Sequence, residues 1–138
     1  HLTGKPIWTL QEEYKRELNI EFIQFGLKWE RDKLYENIEH RVDDMIMKGL
    51  VEEIKSILGK GYDKDYNSLN TVGYKEIIAS FEGTISHSNA VELIKRNTRR
   101  FAKRQMTWFN KDNRIKWIKI SSSEDLIKAA NEIILQTK

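Results

Sequence analysis

This sequence of 138 residues contains no cysteine, and that absence excludes both disulfide bonds and thiolate zinc sites. Its three histidines, His1, His40 and His87, lack metal-ligand spacing, so we expect no metal site built from side chains alone. No apolar run approaches the roughly 20 residues that cross a bilayer, and the N-terminus lacks the basic-then-apolar order of a signal peptide. We therefore expect a cytoplasmic protein with no membrane partner.

Proline is also scarce, with Pro6 as the one example, and the chain has no low-complexity tract or internal repeat. Hydrophobic residues make up 39% and charged residues 33%, a composition typical of a soluble globular domain. Residues 1–138 are long enough to bury a core, and we treat them as a single unit.

Charge is unevenly distributed along the chain, although the net charge is only +3. Acidic residues outnumber basic ones between Glu12 and Glu53. The segment from Lys95 to Lys119 contains ten basic residues and one acidic residue, Asp112. Positive charge concentrated in one segment favours a polyanionic partner.

The periodicity of apolar residues predicts a mostly helical chain with two strands. Alternation of apolar and polar residues predicts strands at Asn19–Trp29 and Arg114–Ile120. Helical spacing predicts the remaining elements: Glu30 to Gly49, Val51–Leu58, a short helix ending at Phe81, a long helix capped by Ser86 or Ser88 and ending near Phe109, and Ser123 to Leu135.

The two predicted strands lie about eighty residues apart, and each needs a partner for its backbone groups. A two-stranded pairing is marginal in water. We therefore expect the strands to belong to a larger sheet whose other strands lie outside this sequence.

The helix Lys95–Phe109 carries the strongest functional pattern. Six cations in ten residues repel each other, and phosphate groups would neutralise them. Ordinary ion pairs with the acidic helices earlier in the chain are the alternative. Apolar residues are expected to face the core, among them Trp108, whose removal would then cost on the order of 3 kcal/mol. One stripe of the helix is basic, namely Arg96, Arg99, Arg100 and Lys103, and another is directed to the core, namely Val91, Ile94, Thr98, Phe101 and Met106.

Two further segments suit an anionic or nucleic-acid ligand. Thr71–Lys75 leads into a helix, where Gly73 allows close approach, Tyr74 offers a stacking face and Lys75 a phosphate contact. Taken alone, this segment is better explained as a plain loop-to-helix junction with a core tyrosine. Arg41 could hold a pyrophosphate with its planar fork. It could equally pair with nearby surface acids, namely Glu36, Asp43 or Asp44.

The sequence contains no self-sufficient active site. Neighbouring acids such as Asp43 and Asp44 point in different directions on a helix. There is no Ser/His/Asp arrangement and no glycine-rich phosphate-binding loop with its lysine.

Several motifs together resemble the C-terminal half of the tRNA dimethylallyltransferases. Leu2–Pro6 (LTGKP) is similar to the family's L-T-G-K-P. Leu34–Glu53 is similar to L-x-x-R-I-x-x-R-V-x-x-M-x-x-x-G-L-x-x-E, and Asn70–Glu76 to R-x-I-G-Y-R/K-E. Thr98–Phe109 is similar to T-R-x-L-A-K-R-Q-x-T-W-F, and Trp117 fits the tryptophan of the following strand. The resemblance spans nearly the whole chain.

The resemblance implies a fold and an activity. Members transfer a dimethylallyl group from dimethylallyl diphosphate to N6 of the adenosine immediately 3′ of the tRNA anticodon. The implied fold is the helical C-terminal part of a P-loop α/β enzyme. The P-loop half, the catalytic aspartate and the insertion domain would lie upstream, so we expect this chain alone to be inactive. Mg²⁺ is implied for the intact enzyme and no cofactor for this chain.

The resemblance also implies roles for particular residues. Arg41 stands where the family has an arginine near the diphosphate and is the candidate catalytic residue. Asn37 and Asn70 depart from the family, which often has arginine at both positions. Two other classes remain open: a non-catalytic helical RNA-binding module, and a bundle that binds an acidic protein. The candidate tRNA contacts are Asn70, Thr71, Val72, Gly73, Tyr74, Lys75, Arg96, Arg99, Arg100, Lys103, Arg104, Gln105 and Trp108.

Overall fold

Six helices and two strands make up the structure, a computed structural model that describes residues 4–14 and 21–137. No helix in these ranges is long and apolar enough to cross a membrane. The short helix α1 was not predicted from the sequence. The elements are α1 (Ile7–Glu13), β1 (Gln24–Trp29), α2 (Arg31–Met47), α3 (Leu50–Gly59), α4 (Tyr74–Phe81), α5 (His87–Phe109), β2 (Ile115–Ile120) and α6 (Glu124–Gln136).

The hydrophobic core lies among α2, α3, α4 and α5. Three of these helices each bury two residues spaced four apart, the spacing that places side chains on one helical face. These pairs are Ile38 and Val42 in α2, Leu50 and Ile54 in α3, and Ala90 and Ile94 in α5. The loop before α4 adds Leu69, and α4 adds Ile77 and Ile78. The predicted helices are confirmed because their burial follows this local periodicity.

The helix ends follow the predicted signals with one exception. Gly49, at φ 95°, separates α2 from α3. Ser86, rather than Ser88, caps α5, because its hydroxyl accepts a hydrogen bond from the Asn89 backbone N–H at 3.2 Å. The exception is α6, where the Ser123 side chain forms no cap. Instead, the Asp125 carboxylate accepts backbone N–H groups from the preceding turn, those of Ser121 at 3.0 Å and Ser122 at 3.1 Å.

The two strands pair with each other in parallel, from Gln24 opposite Ile115 to Trp29 opposite Ile120. The sequence did not predict this pairing, in which the helices α2 to α5 form the long crossover that a parallel pair requires. Membership of a larger sheet stays a prediction. β1 is also shorter than predicted. Residues 21–23 precede it, and residues 19 and 20 lie outside the described residues.

A glycine in β1 is required by its cross-strand neighbour. A Cβ at Gly26 would lie 2.6 Å from ring carbons of Trp117, its partner in the register. The Trp117 ring therefore occupies the space that a side chain would take.

We expect Gly26→Ala to destabilise the chain by about 1–3 kcal/mol, because the methyl group must displace the Trp117 ring. The same substitution at Gly59 meets no atom within 4 Å and lies at the end of α3, so it should be neutral or slightly stabilising. Urea unfolding followed by circular dichroism measures both variants. If both variants unfolded at the same urea concentration, the two strands would accommodate the added methyl group at Gly26 without loss of stability.

Candidate functional site

A groove of about 740 Å³ lies between α2, the loop before α4, and α5. We call it the central groove. Apolar residues form most of its wall, including Ile38, Met45 and Phe101. Its polar rim combines residues from three segments that the sequence predicted separately: Arg41 from α2, Thr71 from the loop, and Gln105 from α5. The fold therefore brings these three segments to one cavity.

Arg41 is exposed at the groove and has no ion pair or hydrogen bond from its side chain to any described residue. The three acids that could have paired with it bind other cations. Glu36 pairs with Lys33 at 2.7 Å, Asp44 with Lys48 at 3.3 Å, and Asp43 with Lys95 at 2.7 Å, so the surface ion-pair interpretation is contradicted for this arginine.

The loop before α4 is held in place by a buried carboxylate. Gly73 is at φ 104°, and its backbone N–H donates to Glu76 Oε2 at 2.8 Å. The other oxygen of Glu76 accepts from Asn97 Nδ2 on α5, also at 2.8 Å. Glu76 is only 4% exposed. Glu76 positions the loop. It was not among the site residues predicted from the sequence, although it is the last residue of the motif Asn70–Glu76.

The six candidate residues of this loop do not face one site. Thr71 and Val72 line the central groove. Asn70 and Lys75 are exposed and lie together in a separate depression against α4. Tyr74 packs against the core, and its hydroxyl donates to the Glu53 carboxylate on α3.

The environment of Tyr74 supports a structural role. The hydrogen bond to Glu53 raises the pKa of the Tyr74 hydroxyl, and desolvation adds to that shift. The ring is half-buried beside Ile57 and Leu69, away from the lining of the central groove. This packing favours the interpretation as a core tyrosine, and the tRNA contact of Tyr74 stays a prediction.

The basic residues of α5 fall into two groups. Arg99 pairs with Glu39 of α2 at 2.6 Å, and Lys95 pairs with Asp43 of α2 at 2.7 Å. The hydrogen bond to Asp43 is the main cause of a raised pKa for Lys95. Of the predicted cationic stripe, Arg99 is thus tied to α2 by an ion pair, and its tRNA contact stays a prediction. The candidates that remain exposed, without an acidic partner in the described chain, are Arg96, Arg100, Lys103 and Arg104.

The C-terminal half of α5 exposes aromatic rings that were expected in the core. Phe101 is 49% exposed and Trp108 is 69% exposed. The buried residues of α5, Ala90 and Ile94, lie in its N-terminal half, where α5 packs on α2 and α4. The stability loss expected for Trp108→Ala is therefore withdrawn, because the exposed ring has few core contacts to lose.

These rings share a helical face with polar and cationic side chains. Residues 101, 104, 105 and 108 follow the i, i+3, i+4, i+7 spacing of one face. The Arg104 guanidinium lies 5.8 Å from the centre of the Phe101 ring. We call this face, formed by Phe101, Arg104, Gln105 and Trp108, the aromatic stripe. Exposed rings interleaved with cations suit unpaired nucleobases and their phosphates.

We expect Glu76→Ala to lower the free energy of unfolding by about 1–3 kcal/mol, because the Gly73 N–H and the Asn97 amide both lose their acceptor. Glu52→Ala, an exposed acid of α3, is the matched control and should change little. The measurement is the urea midpoint of each variant. If Glu76→Ala matched the control, the loop would be held by other contacts.

Comparison with known proteins supplies the family. The sequence model of the IPP transferases matches residues 1–112. The tRNA dimethylallyltransferase of Pelotomaculum thermopropionicum is 47% identical over 133 residues, which cover 96% of this chain and 42% of that protein. That of Geobacter sulfurreducens is 43% identical over 127 residues, covering 91% and 41%. The chain thus spans less than half the length of these relatives.

Solved structures share the fold. The tRNA isopentenylpyrophosphate transferase of Bacillus halodurans superposes with a TM-score of 0.74 at 32% identity, over 93% of this chain and 43% of that one. The corresponding transferase of Staphylococcus epidermidis gives 0.75 at 29% identity, over 99% and 45%. Both matches confirm that this mostly helical fold with its two-stranded sheet is the C-terminal part of a longer transferase chain.

Proposed function

This chain belongs to the IPP transferase family, and on that premise we propose that it is part of a cytoplasmic tRNA-modifying prenyltransferase. The whole enzyme would transfer a dimethylallyl group from dimethylallyl diphosphate to N6 of the adenosine next to the anticodon. One observation supports the assignment of roles within this chain. The central groove joins the unpaired Arg41 to Thr71 and Gln105, residues of the two segments expected to face tRNA.

In this proposal the central groove receives the extruded adenosine. The N6 nitrogen attacks C1 of the dimethylallyl group, the C1–O bond breaks, and the diphosphate leaves with the bonding electron pair. The N6 proton passes to a base supplied by the P-loop half of the enzyme. Extruding a base costs a few kcal/mol of stacking, which contacts with the aromatic stripe would offset.

Arg41 has the chemistry for the leaving group. A guanidinium is always charged, and its planar fork matches phosphate oxygens. Because no described acid neutralises it, its charge is available to the departing diphosphate. The described residues contain no cluster of three or more acidic or histidine side chains that could hold a metal ion, so a Mg²⁺ ion in the whole enzyme would be held by the P-loop half.

In a full-length transferase containing this segment, we expect Arg41→Ala to lower kcat by about two to three orders of magnitude, because leaving-group charge loses its partner. The affinity for tRNA should change much less. Arg41→Lys is the matched variant and should restore only part of the rate, since an ammonium lacks the planar fork. Steady-state kinetics with both substrates measure the effect. If Arg41→Ala kept the wild-type kcat and KM, Arg41 would be an ordinary surface residue with no role in catalysis.

The exposed cations of α5 predict that the affinity for tRNA decreases as the salt concentration rises. Replacing Arg96 and Arg100 by glutamine should weaken tRNA binding and make the slope of log K against log salt shallower by roughly one to two units. The cause is the loss of counterion release at the phosphates that these side chains contact. Filter binding of unmodified tRNA across a salt series measures it, with circular dichroism to confirm folding.

The same helix offers the control. Glutamine at Lys95 and Arg99 removes the same charge from side chains already paired with α2. That variant should change stability more than the salt slope. If both double variants gave the same salt slope, the weaker tRNA binding would reflect net charge and not contacts of Arg96 and Arg100. If the full-length protein bound tRNA without prenyl transfer, a non-catalytic RNA-binding module would be favoured.

A further inference from the structure

The carboxylate that caps α4 also binds α5. In a capping box, one side-chain oxygen at the third position of the helix accepts the N–H of the cap residue. Glu76 does this with Oε2, which lies 2.8 Å from the Gly73 nitrogen. Its other oxygen, Oε1, accepts from the Asn97 amide of α5 at 2.8 Å, across 21 residues of sequence. We call these two hydrogen bonds the carboxylate link.

Two neutral donors hold the buried charge of this link. Glu76 is 4% exposed, and among residues 4–14 and 21–137 it has no ion pair. A buried carboxylate that lost its hydrogen bonds would be costly, so the loop before α4 and the helix α5 are both held to it. Because both partners donate, both oxygens must accept. An amide in place of the carboxylate would satisfy only one of the two donors.

The carboxylate link joins two walls of the central groove. One wall, formed by Thr71 and Val72, lies in the loop directly before the glycine of the link. The other wall begins at Thr98, the residue after Asn97, and continues along α5 to Gln105. In the part of the chain that the structure describes, no other hydrogen bond or ion pair joins this loop or α4 to α5. The position of the loop wall therefore depends on a side chain of the opposite wall.

We propose that Asn97 is a positioning residue for tRNA binding, which acts through Glu76 on the loop wall and does not itself touch the RNA. With the carboxylate link in place, the loop wall faces the groove before tRNA arrives, so binding does not include the cost of ordering it. Without the link, the loop leaves this position for part of the time, and its contact with the RNA weakens by that fraction. Naming the ligand as tRNA rests on the proposed function, whereas the link rests on the hydrogen bonds of this chain.

The carboxylate link is tested on this chain by reversing the direction of one hydrogen bond. Glu76→Gln leaves an amide nitrogen facing one of the two donors, and Asn97→Asp leaves two carboxylates facing each other. Each single variant should speed hydrogen exchange at the Gly73 amide, measured by NMR, by about tenfold.

The double variant Glu76→Gln with Asn97→Asp is the matched rescue, since it has the net charge and nearly the shape of the wild type. The new glutamine can accept from Gly73 with its oxygen and donate to the new aspartate with its nitrogen. Exchange at Gly73 should return to within about threefold of the wild-type rate. Wild-type protection in both single variants, or no recovery in the double variant, would show that the link does not hold the loop and would overturn the proposal.

The positioning role is tested by tRNA affinity in a full-length transferase containing this segment. Asn97→Ala should weaken binding by about threefold or more. Replacing Thr71 and Val72 by alanine should weaken tRNA binding in the wild-type background and much less in the Asn97→Ala background, because a displaced loop has little contact left to lose. Gln105→Ala should weaken binding equally in both backgrounds, since Gln105 lies on α5 and does not depend on the loop.

The control for lost stability is Gly26→Ala, which is expected to destabilise the chain at the strands, outside the lining of the central groove. It should keep tRNA affinity within about twofold of the wild type. The positioning role would be wrong if the loop variant had the same effect in both backgrounds, or no effect in either. If the wild type bound no tRNA, the proposed function would fail together with the positioning role, whereas hydrogen exchange at Gly73 would still decide whether the link exists.

Discussion

The carboxylate of Glu76 is the interaction on which the geometry of the candidate site depends. It accepts one hydrogen bond from the Gly73 backbone and another from Asn97 of α5. Through these two bonds it fixes the loop before α4 relative to the helix that carries the basic residues. A buried charge without partners would be costly, so both bonds are needed for the loop to keep this position. Thr71 and Val72 face the central groove as a result.

Ion pairs between α2 and α5 neutralise part of the basic segment locally, because acidic residues from earlier in the chain lie against it. Glu39 and Asp43 on α2 bind Arg99 and Lys95. These pairs leave the adjacent Arg96 and Arg100 without an acid. The cations of these two pairs are partly buried between the helices, so the pairs support the packing of α5 on α2 while the unpaired cations stay in solvent. One side of α5 serves packing, and the other presents cations outward.

Sequence reasoning succeeded where structure follows local periodicity and failed where it depends on distant partners. The pairs Ile38–Val42 and Ala90–Ile94 mark their helices because each pair is spaced for one helical face. The parallel pairing of β1 and β2 could not be predicted, because its register joins residues separated by most of the chain. Trp108 was misplaced for a related reason. The helical pattern of α5 continues to Phe109, but its buried residues, Ala90 and Ile94, lie in its first half, and Trp108 is exposed.

The candidate site was likewise predicted in part: its residues could be identified from the sequence, but not their arrangement in space. The motifs placed Arg41, Thr71 and Gln105 correctly on separate elements, but only the fold shows that they share a groove. Glu76 was present in a recognised motif and was overlooked because its role depends on Asn97, which is distant in sequence.

The two strands leave part of their apolar surface uncovered. Parallel sheets are usually covered on both faces, and a pair of strands is marginal by itself. Leu27 in β1 is exposed, and so are Phe22 and Ile23 just before it. The longer relatives contain more than half their length beyond the matched region. Further strands pairing with this sheet would extend it, and elements packed on its faces would cover these apolar residues. That extension, which stays a prediction, would also give the two strands the partners that a stable sheet requires.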